Sequence, residues 1–387
     1  IYMRFADNRN KIGKYIPAVV FLIFIYGMAL WFIFSPKPDY SSSEKRYLQK
    51  FPEVTAEKLL SGDFGSEFET FFADRFPQRN TWVGLNAYTA LAEGNNGASG
   101  VYNCKNGYLI NKPVSTENNL DKNIGAVADF AKSIDTPTTV MLVPSTGYIV
   151  DDVLPTFHDK YNDDEDISKI SSTLSKDKIG FVDLRERFKS EYKNGSQIYY
   201  KTDHHWTTKG AYTGYQELCK ALGITPIDDS TLKKDSYPDF YGTTYSSSGF
   251  WLTPPDNIEI WNNPKNSDRN ISVKITEGAN IKTSGSMYFT DHLKEDDKYP
   301  VFIDGNHALT EITNTNAKNG TILLIKDSFS HSLAPFLAEN YSKVVLVDLR
   351  YYKESVSDLV TTYNPEQVVV LYGIDNLATD TDIVWLK

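Results

Sequence analysis

The sequence predicts an α/β chain: a mainly parallel open sheet sandwiched by helices, with an irregular or antiparallel insertion and one N-terminal transmembrane helix. Three observations carry this expectation. Short Val/Ile/Leu runs such as TTVMLV at 138–143 and TILLI at 321–325 contain no charged residue, as strands covered on both faces do. These runs alternate with amphipathic segments of helical period. Residues 16–34 are apolar apart from Pro17 and Gly27, long enough at about 1.5 Å per residue to cross a bilayer.

Composition supports a folded domain. Of 387 residues, 41% are hydrophobic and 13% aromatic, enough to fill a large core, so a disordered chain is excluded. The charge is uneven. Arg4, Arg9, Lys11 and Lys14 face only Asp7 in the first fourteen residues, leaving −13 on the remainder of a chain whose net charge is −10. The positive-inside bias therefore predicts a cytoplasmic stub (1–14), a transmembrane anchor (15–36) and an extracytoplasmic remainder, a single-pass protein of the cell membrane. A cleaved signal peptide has a shorter apolar core of about 7–15 residues. Here the run ends FIFSPKPDY, with proline where cleavage would fall, so a retained anchor in the lipid bilayer is expected. No basic stripe exists to follow a phosphate backbone, which excludes nucleic acid as a partner.

The elements follow in order. Residues 37–93 read as a Pro/Ser linker and a helical lead-in broken at Pro77, and 94–100 as a Gly/Asn turn. The α/β domain is expected over 94–387. It opens with a hairpin around Asn106-Gly107, and strands are expected at 138–143, 179–182, 198–200, 321–325, 344–347 and 368–372. Helices are expected at 120–133, 167–175, 184–192, 209–222, 330–339 and 354–362, that at 209–222 closed by Gly223. The stretch from 236 to about 300, rich in Ser, Tyr, Trp, Pro and Asn, breaks the alternation and reads as the insertion. Cys104 and Cys219 form no CxxC or Cys/His spacing, so a thiolate zinc site is excluded, while an oxidising exterior permits one disulfide between them.

Chemistry is expected at the carboxyl ends of strands. In TILLIKDSFSHSLAPFL, Ser328 falls in the turn between a strand and a helix, where unpaired amides and the helix dipole suit a serine nucleophile and its oxyanion. Ser328 or Ser330 as a simple helix cap is the plainer alternative. In YYKTDHHWTTKGAY, Asp203 and His205 stand at i and i+2, on one face of an extended chain, with His204 and Trp206 on the other. A carboxylate orienting an imidazole that activates a serine is the logic of a triad. Asp203, His204 and His205 could instead hold a metal, but Asp151, Asp152, Asp183, His292, His307 and His331 add no ligand-spaced pair, and neither metal nor cofactor is expected. His331 is the rival base for Ser328, and Ser145 or Thr146 could form a polar wall.

The block TDHHW at 202–206 resembles the signature of the DHHW protein family, a branch similar to SGNH hydrolases and to the periplasmic alginate O-acetylation proteins. DRFPQRN at 74–80 and NGYLI at 106–110 also look like early blocks of this group. The resemblance, over residues 40–375, implies an SGNH-hydrolase-like fold with permuted motif order, Asp and His before Ser. It places the triad on Asp203, His205 and Ser328. It implies a serine-dependent O-acetyltransferase or carbohydrate esterase acting on O-acetyl groups of a cell-surface or exported polysaccharide, with a membrane-bound O-acyltransferase as acyl-donor partner. Aromatic residues of 236–300 would then line a sugar groove. Lys326 stands where glycine usually precedes Asp-Ser in these proteins, and the alternative is a non-catalytic glycan-binding or scaffolding partner of such an acyltransferase.

Overall fold

The computed structural model describes residues 2–115, 119–383 and 386, with side chains of the first helix described from Gly13 onward. The side chains of Arg4, Asp7, Arg9 and Lys11, on which the orientation expectation rests, lie outside the described residues. Contacts divide the chain into two compact units, 1–86 and 87–387.

The first unit begins with α1 (Tyr2–Phe34), whose 22-residue stretch Gly13–Phe34 is apolar and exposed, long enough to be a membrane span or a signal anchor. Behind it, the 74–80 block fastens the linker. The Asp74 carboxylate takes both Nη groups of Arg46, at 2.9 and 2.5 Å, and the Gln49 amide. The buried Arg75 guanidinium donates to the Lys37, Leu48 and Gln49 carbonyls and to Asp39. A planar five-donor group suits this gathering of backbone carbonyls.

In the second unit the sheet has eight strands: β1 (Thr138–Val143), β2 (Gly180–Asp183), β3 (Ile271–Glu277), β4 (Asn280–Ser284), β5 (Leu309–Asn314), β6 (Asn319–Lys326), β7 (Tyr341–Val347) and β8 (Gln367–Gly373). Their order is β4-β3-β5-β7-β6-β8-β1-β2. The five from β7 to β2 are parallel, and β5, β3 and β4 extend them antiparallel. Alternate strand residues enter opposite cores. Met141, Ile322 and Leu324 pack in one cluster, and Val140, Leu142, Leu323 and Ile325 in the other. The first core takes α4 (Thr208–Leu222) and α5 (Ser330–Leu337). The second takes α2 (Asn119–Ser133), α3 (Asp163–Lys176) and α6 (Val356–Tyr363). This is the covered parallel sheet that uninterrupted apolar runs require.

One expectation is met in one of its two forms and another is corrected. The stretch 236–300, expected to be irregular or antiparallel, contains antiparallel strands. Lys233–Phe240 pairs antiparallel with Asp256–Asn262, while β3 and β4 join the main sheet through β5. The alternation of β3, with Ile271, Val273 and Ile275 buried, fits one covered face. The corrected expectation is the strand at 198–200, which does not form. Only the Tyr199–Trp206 bridge exists, and the chain between them turns in tight bends before the Thr207 hydroxyl caps α4 by accepting from Gly210 N–H at 3.1 Å. Cys104 and Cys219 are both buried and free.

Candidate active site

Ser328 lies where β6 gives way to α5, at the carboxyl edge of the parallel strands. Asp327 shapes this turn. Its Oδ1 accepts from Phe329 N–H at 2.9 Å, and its Oδ2 from Gly373 N–H and Asn376 Nδ2, each at 2.7 Å. The carboxylate thereby ties the serine turn to the end of β8. The Phe329 amide is occupied by this bond, whereas Ser328 N–H has no acceptor among the described residues and is available to an oxyanion.

The second half comes from the bend before α4. His205 N–H donates to Asp203 Oδ1 at 2.8 Å, so a local turn, not an extended strand, brings Asp203 and His205 together. Nδ1 of His205 lies 2.5 Å from the same oxygen and Nε2 lies 2.7 Å from Ser328 Oγ. Asp203 Oδ2 accepts from Thr243 N–H at 2.7 Å and from its hydroxyl at 3.2 Å. Burial by itself raises the Asp203 carboxyl. The charges of His205 and His204 and the hydrogen bonds from His205 and Thr243 outweigh it, leaving the pKa well below the usual carboxylate range. An ionised Asp203 keeps the proton on Nδ1 and leaves Nε2 to accept from Ser328. Tyr299 stacks on the His205 ring at 4.0 Å and donates to the Ser328 carbonyl at 3.2 Å. Trp206 Nε1 donates to the Phe329 carbonyl and Ser332 Oγ, both at 2.9 Å, pinning the bend to α5.

His331 does not meet the Ser328 side chain. It is buried, Lys326 Nζ lies 2.8 Å from its Nε2, and burial with the Lys326 charge holds its pKa well below the usual histidine value. The rival base is thus a core residue. Asp203, His204 and His205 do place ligand atoms within 4.8 Å of one another. An ion there would have to displace the His205–Asp203 and His205–Ser328 contacts and the 2.6 Å contact of His204 Nδ1 with Thr243 Oγ1. Sequence reasoning missed Thr243, Tyr299, Asp327 and Asn376. Only Asp327 and Asn376 carried a signal, their position just beyond neighbouring strand ends.

The fold is a covered, mainly parallel α/β sheet in which the Asp203 and His205 block precedes Ser328 in the chain. The chain belongs to the DHHW protein family, whose match spans residues 114–347. Among solved structures, it is similar to a DHHW family protein from Eubacterium siraeum, at 18% identity and TM-score 0.62 over 75% of this chain and 95% of that one. It is also similar to Bacillus cereus PatB1 with a sulfonyl adduct, at 20% identity and TM-score 0.60 over 74% and 96%. The O-acetyltransferase domain of Pseudomonas putida AlgJ aligns at 14% identity and TM-score 0.48 over 74% and 98%. No curated protein matches the sequence significantly.

Proposed function

We propose that the protein is a serine-dependent O-acyltransferase or esterase acting on O-acetyl groups of a cell-surface or exported polysaccharide. The observation that carries this reading is His205 bridging Asp203 and Ser328 at 2.5 and 2.7 Å. Ser328 Oγ attacks the acyl carbonyl while His205 Nε2 takes its proton, and Asp203 stabilises the imidazolium. The oxyanion is held by Ser328 N–H. Collapse expels the donor's oxygen, which leaves with the proton from Nε2, and the acyl group remains as an ester on Ser328. A glycan hydroxyl, or water in hydrolysis, then gives its proton to Nε2, attacks the acyl-enzyme and frees Ser328. No cofactor is required by these steps.

In this proposal 1–14 is cytoplasmic, 15–36 anchors the chain in the bilayer, 37–93 leads outward and 94–387 acts on glycans outside the cell. A membrane-bound O-acyltransferase is the proposed source of acyl groups. PatB1 is described with a sulfonyl adduct, and sulfonyl fluorides modify activated serines, so such a reagent is the natural probe here. One adduct per chain is expected by intact mass, lost in Ser328→Ala. An intact protein that takes no label under conditions that modify other serine hydrolases overturns the enzyme reading in favour of a glycan-binding one.

Gly242 supplies a second test. A Cβ there would lie 2.1 Å from Asp203 Cβ and 2.3 Å from Asp203 Oδ2. Gly242→Ala is therefore expected to push Asp203 off His205 and reduce acetyl-ester turnover on the order of 10²-fold. Turnover equal to that of the unsubstituted protein would remove Asp203 from the mechanism.

A further inference from the structure

Beside the serine turn lies a cavity of about 50 Å³ whose chemistry the proposed reaction does not use. Phe329, next to Ser328, and His204, next to His205, both line it. Ile110 and Val143 are part of its apolar wall, and Ser145, Thr244 and Asp375 of its polar one.

Two carboxyl groups meet at Ser145. Its N–H donates to Asp163 Oδ1 at 2.7 Å and its hydroxyl donates to Asp375 Oδ1 at 3.1 Å. Asp163 is buried, Asp375 partly so, and neither forms an ion pair among the described residues. Burial pushes Asp163 up to about 6. Burial, and after it the Asp163 charge, pushes Asp375 up to about 7. Carboxylates in such a wall are relieved either by a proton or by a cation. Thr244 is a separate sign of a missing occupant: it is 2% exposed, and its hydroxyl has no hydrogen-bond partner among the described residues. A buried hydroxyl left unpaired is costly, and a ligand group would satisfy it.

We propose that this cavity is a subsite for a primary ammonium group on the substrate, with Asp375 as its counter-ion and the Thr244 hydroxyl as a further acceptor. The volume, room for a few water-sized groups at about 10–15 Å³ each, admits an ammonium group. A neutral hydroxyl would need one acceptor and no net charge, whereas the wall offers the Asp375 carboxyl without a cation, with Asp163 behind it across Ser145. The inference deepens the acyl-transfer reading and rests on it for the identity of the ligand as substrate. The ammonium belongs either to an amino sugar of the acceptor glycan or to an aminoacyl donor.

The test is calorimetric binding to the whole chain in detergent at pH 7.5, in a Ser328→Ala background so that no turnover is needed. Glucosamine is compared with N-acetylglucosamine, and alanine methyl ester with methyl propanoate. At least one cation is expected to bind roughly tenfold or more tighter than its neutral counterpart, as a hydrogen-bonded charge pair of this kind allows. Asp375→Asn is expected to erase that preference and Thr244→Val to weaken it, with melting temperature confirming that each variant is folded. Which cation is preferred assigns the ammonium to acceptor or donor. Cations bound no better than neutral counterparts, or a preference that survives Asp375→Asn, overturns the proposal. A failure of the serine mechanism would show separately, as absent sulfonyl labelling.

Discussion

Ser328→Ala and His205→Ala are each expected to lower turnover of an acetyl ester by about 10⁶-fold, and the double variant by no more than either alone. The physical reason is that the two groups act as one device. Ser328 Oγ at 2.7 Å from Nε2 is nucleophilic only as its proton leaves for His205, and an imidazole without the serine has nothing to activate. Asp203→Asn is expected to cost less, about 10⁴-fold, because the imidazole remains but its tautomer is no longer enforced. The Thr243 contacts add to that loss. An amide oxygen accepting from His205 would turn its NH₂ toward the Thr243 N–H that now bonds Oδ2, and the opposite flip would turn it toward His205. Steady-state kinetics with an activated acetyl ester reads all four variants. Losses that multiply in the double variant, or an Asp203→Asn protein of full activity, would show that the three residues do not work as a unit.

Much of this site was legible because its determinants are local. Asp203 and His205 are two positions apart, and Ser328 follows an obvious strand, so pattern and strand-end position were enough to single them out. The expected local conformation was nevertheless wrong, since a bend replaced the strand at 198–200. It still brought the two side chains together, because a carboxylate can bond an amide two residues on whichever way the chain leaves it. What could not be read comes from distant segments. Tyr299 and Thr243 belong to the stretch whose composition suggested irregular or antiparallel structure, and nothing in their neighbours marks them as partners of His205. The pairing of Ser145 with Asp375 spans 230 positions. The parallel strands were expected from their apolar runs. Of the antiparallel ones, β3 and β4 fall in the stretch read as irregular or antiparallel, where Lys, Thr and Asn on open faces hid the individual strands, and β5 was not expected.

Lys326, which at the level of sequence looked like a departure near the nucleophile, has a structural account with a measurable consequence. It ends β6, and Ile325 pairs in register with Val347 on β7, so Asp348 follows opposite it. The two meet at 2.8 Å with 2% and 0% of their side chains exposed. Arg350 adds a second cation to Asp348 at 2.6 Å, and His331 accepts from Lys326 at 2.8 Å. Burial lowers the Lys326 pKa against the pull of Asp348. The Asp348 carboxyl, which burial alone would raise, is held below its usual value by Arg350 and Lys326. Removing one partner of a buried pair strands the other charge, at about 3–5 kcal/mol. Asp348→Leu strands the buried Lys326, while the part-exposed Arg350 keeps water and Asn306, and is expected to fall within that range. Lys326→Met leaves Asp348 with Arg350 and is expected to cost less, about 1–3 kcal/mol. Combining Lys326→Met with Asp348→Leu should cost less than the sum, because each change removes the charge that the other leaves unpaired. The sign with pH follows from the lowered Asp348 value. Its contribution is full at neutral pH and is lost only as pH falls below the unfolded carboxyl value of about 3.9 toward the folded one. Urea unfolding of the four proteins at pH 7 measures these differences, and additive losses, or an Asp348→Leu protein as stable as the unsubstituted one, would show that the pair does not hold the serine strand to its neighbour.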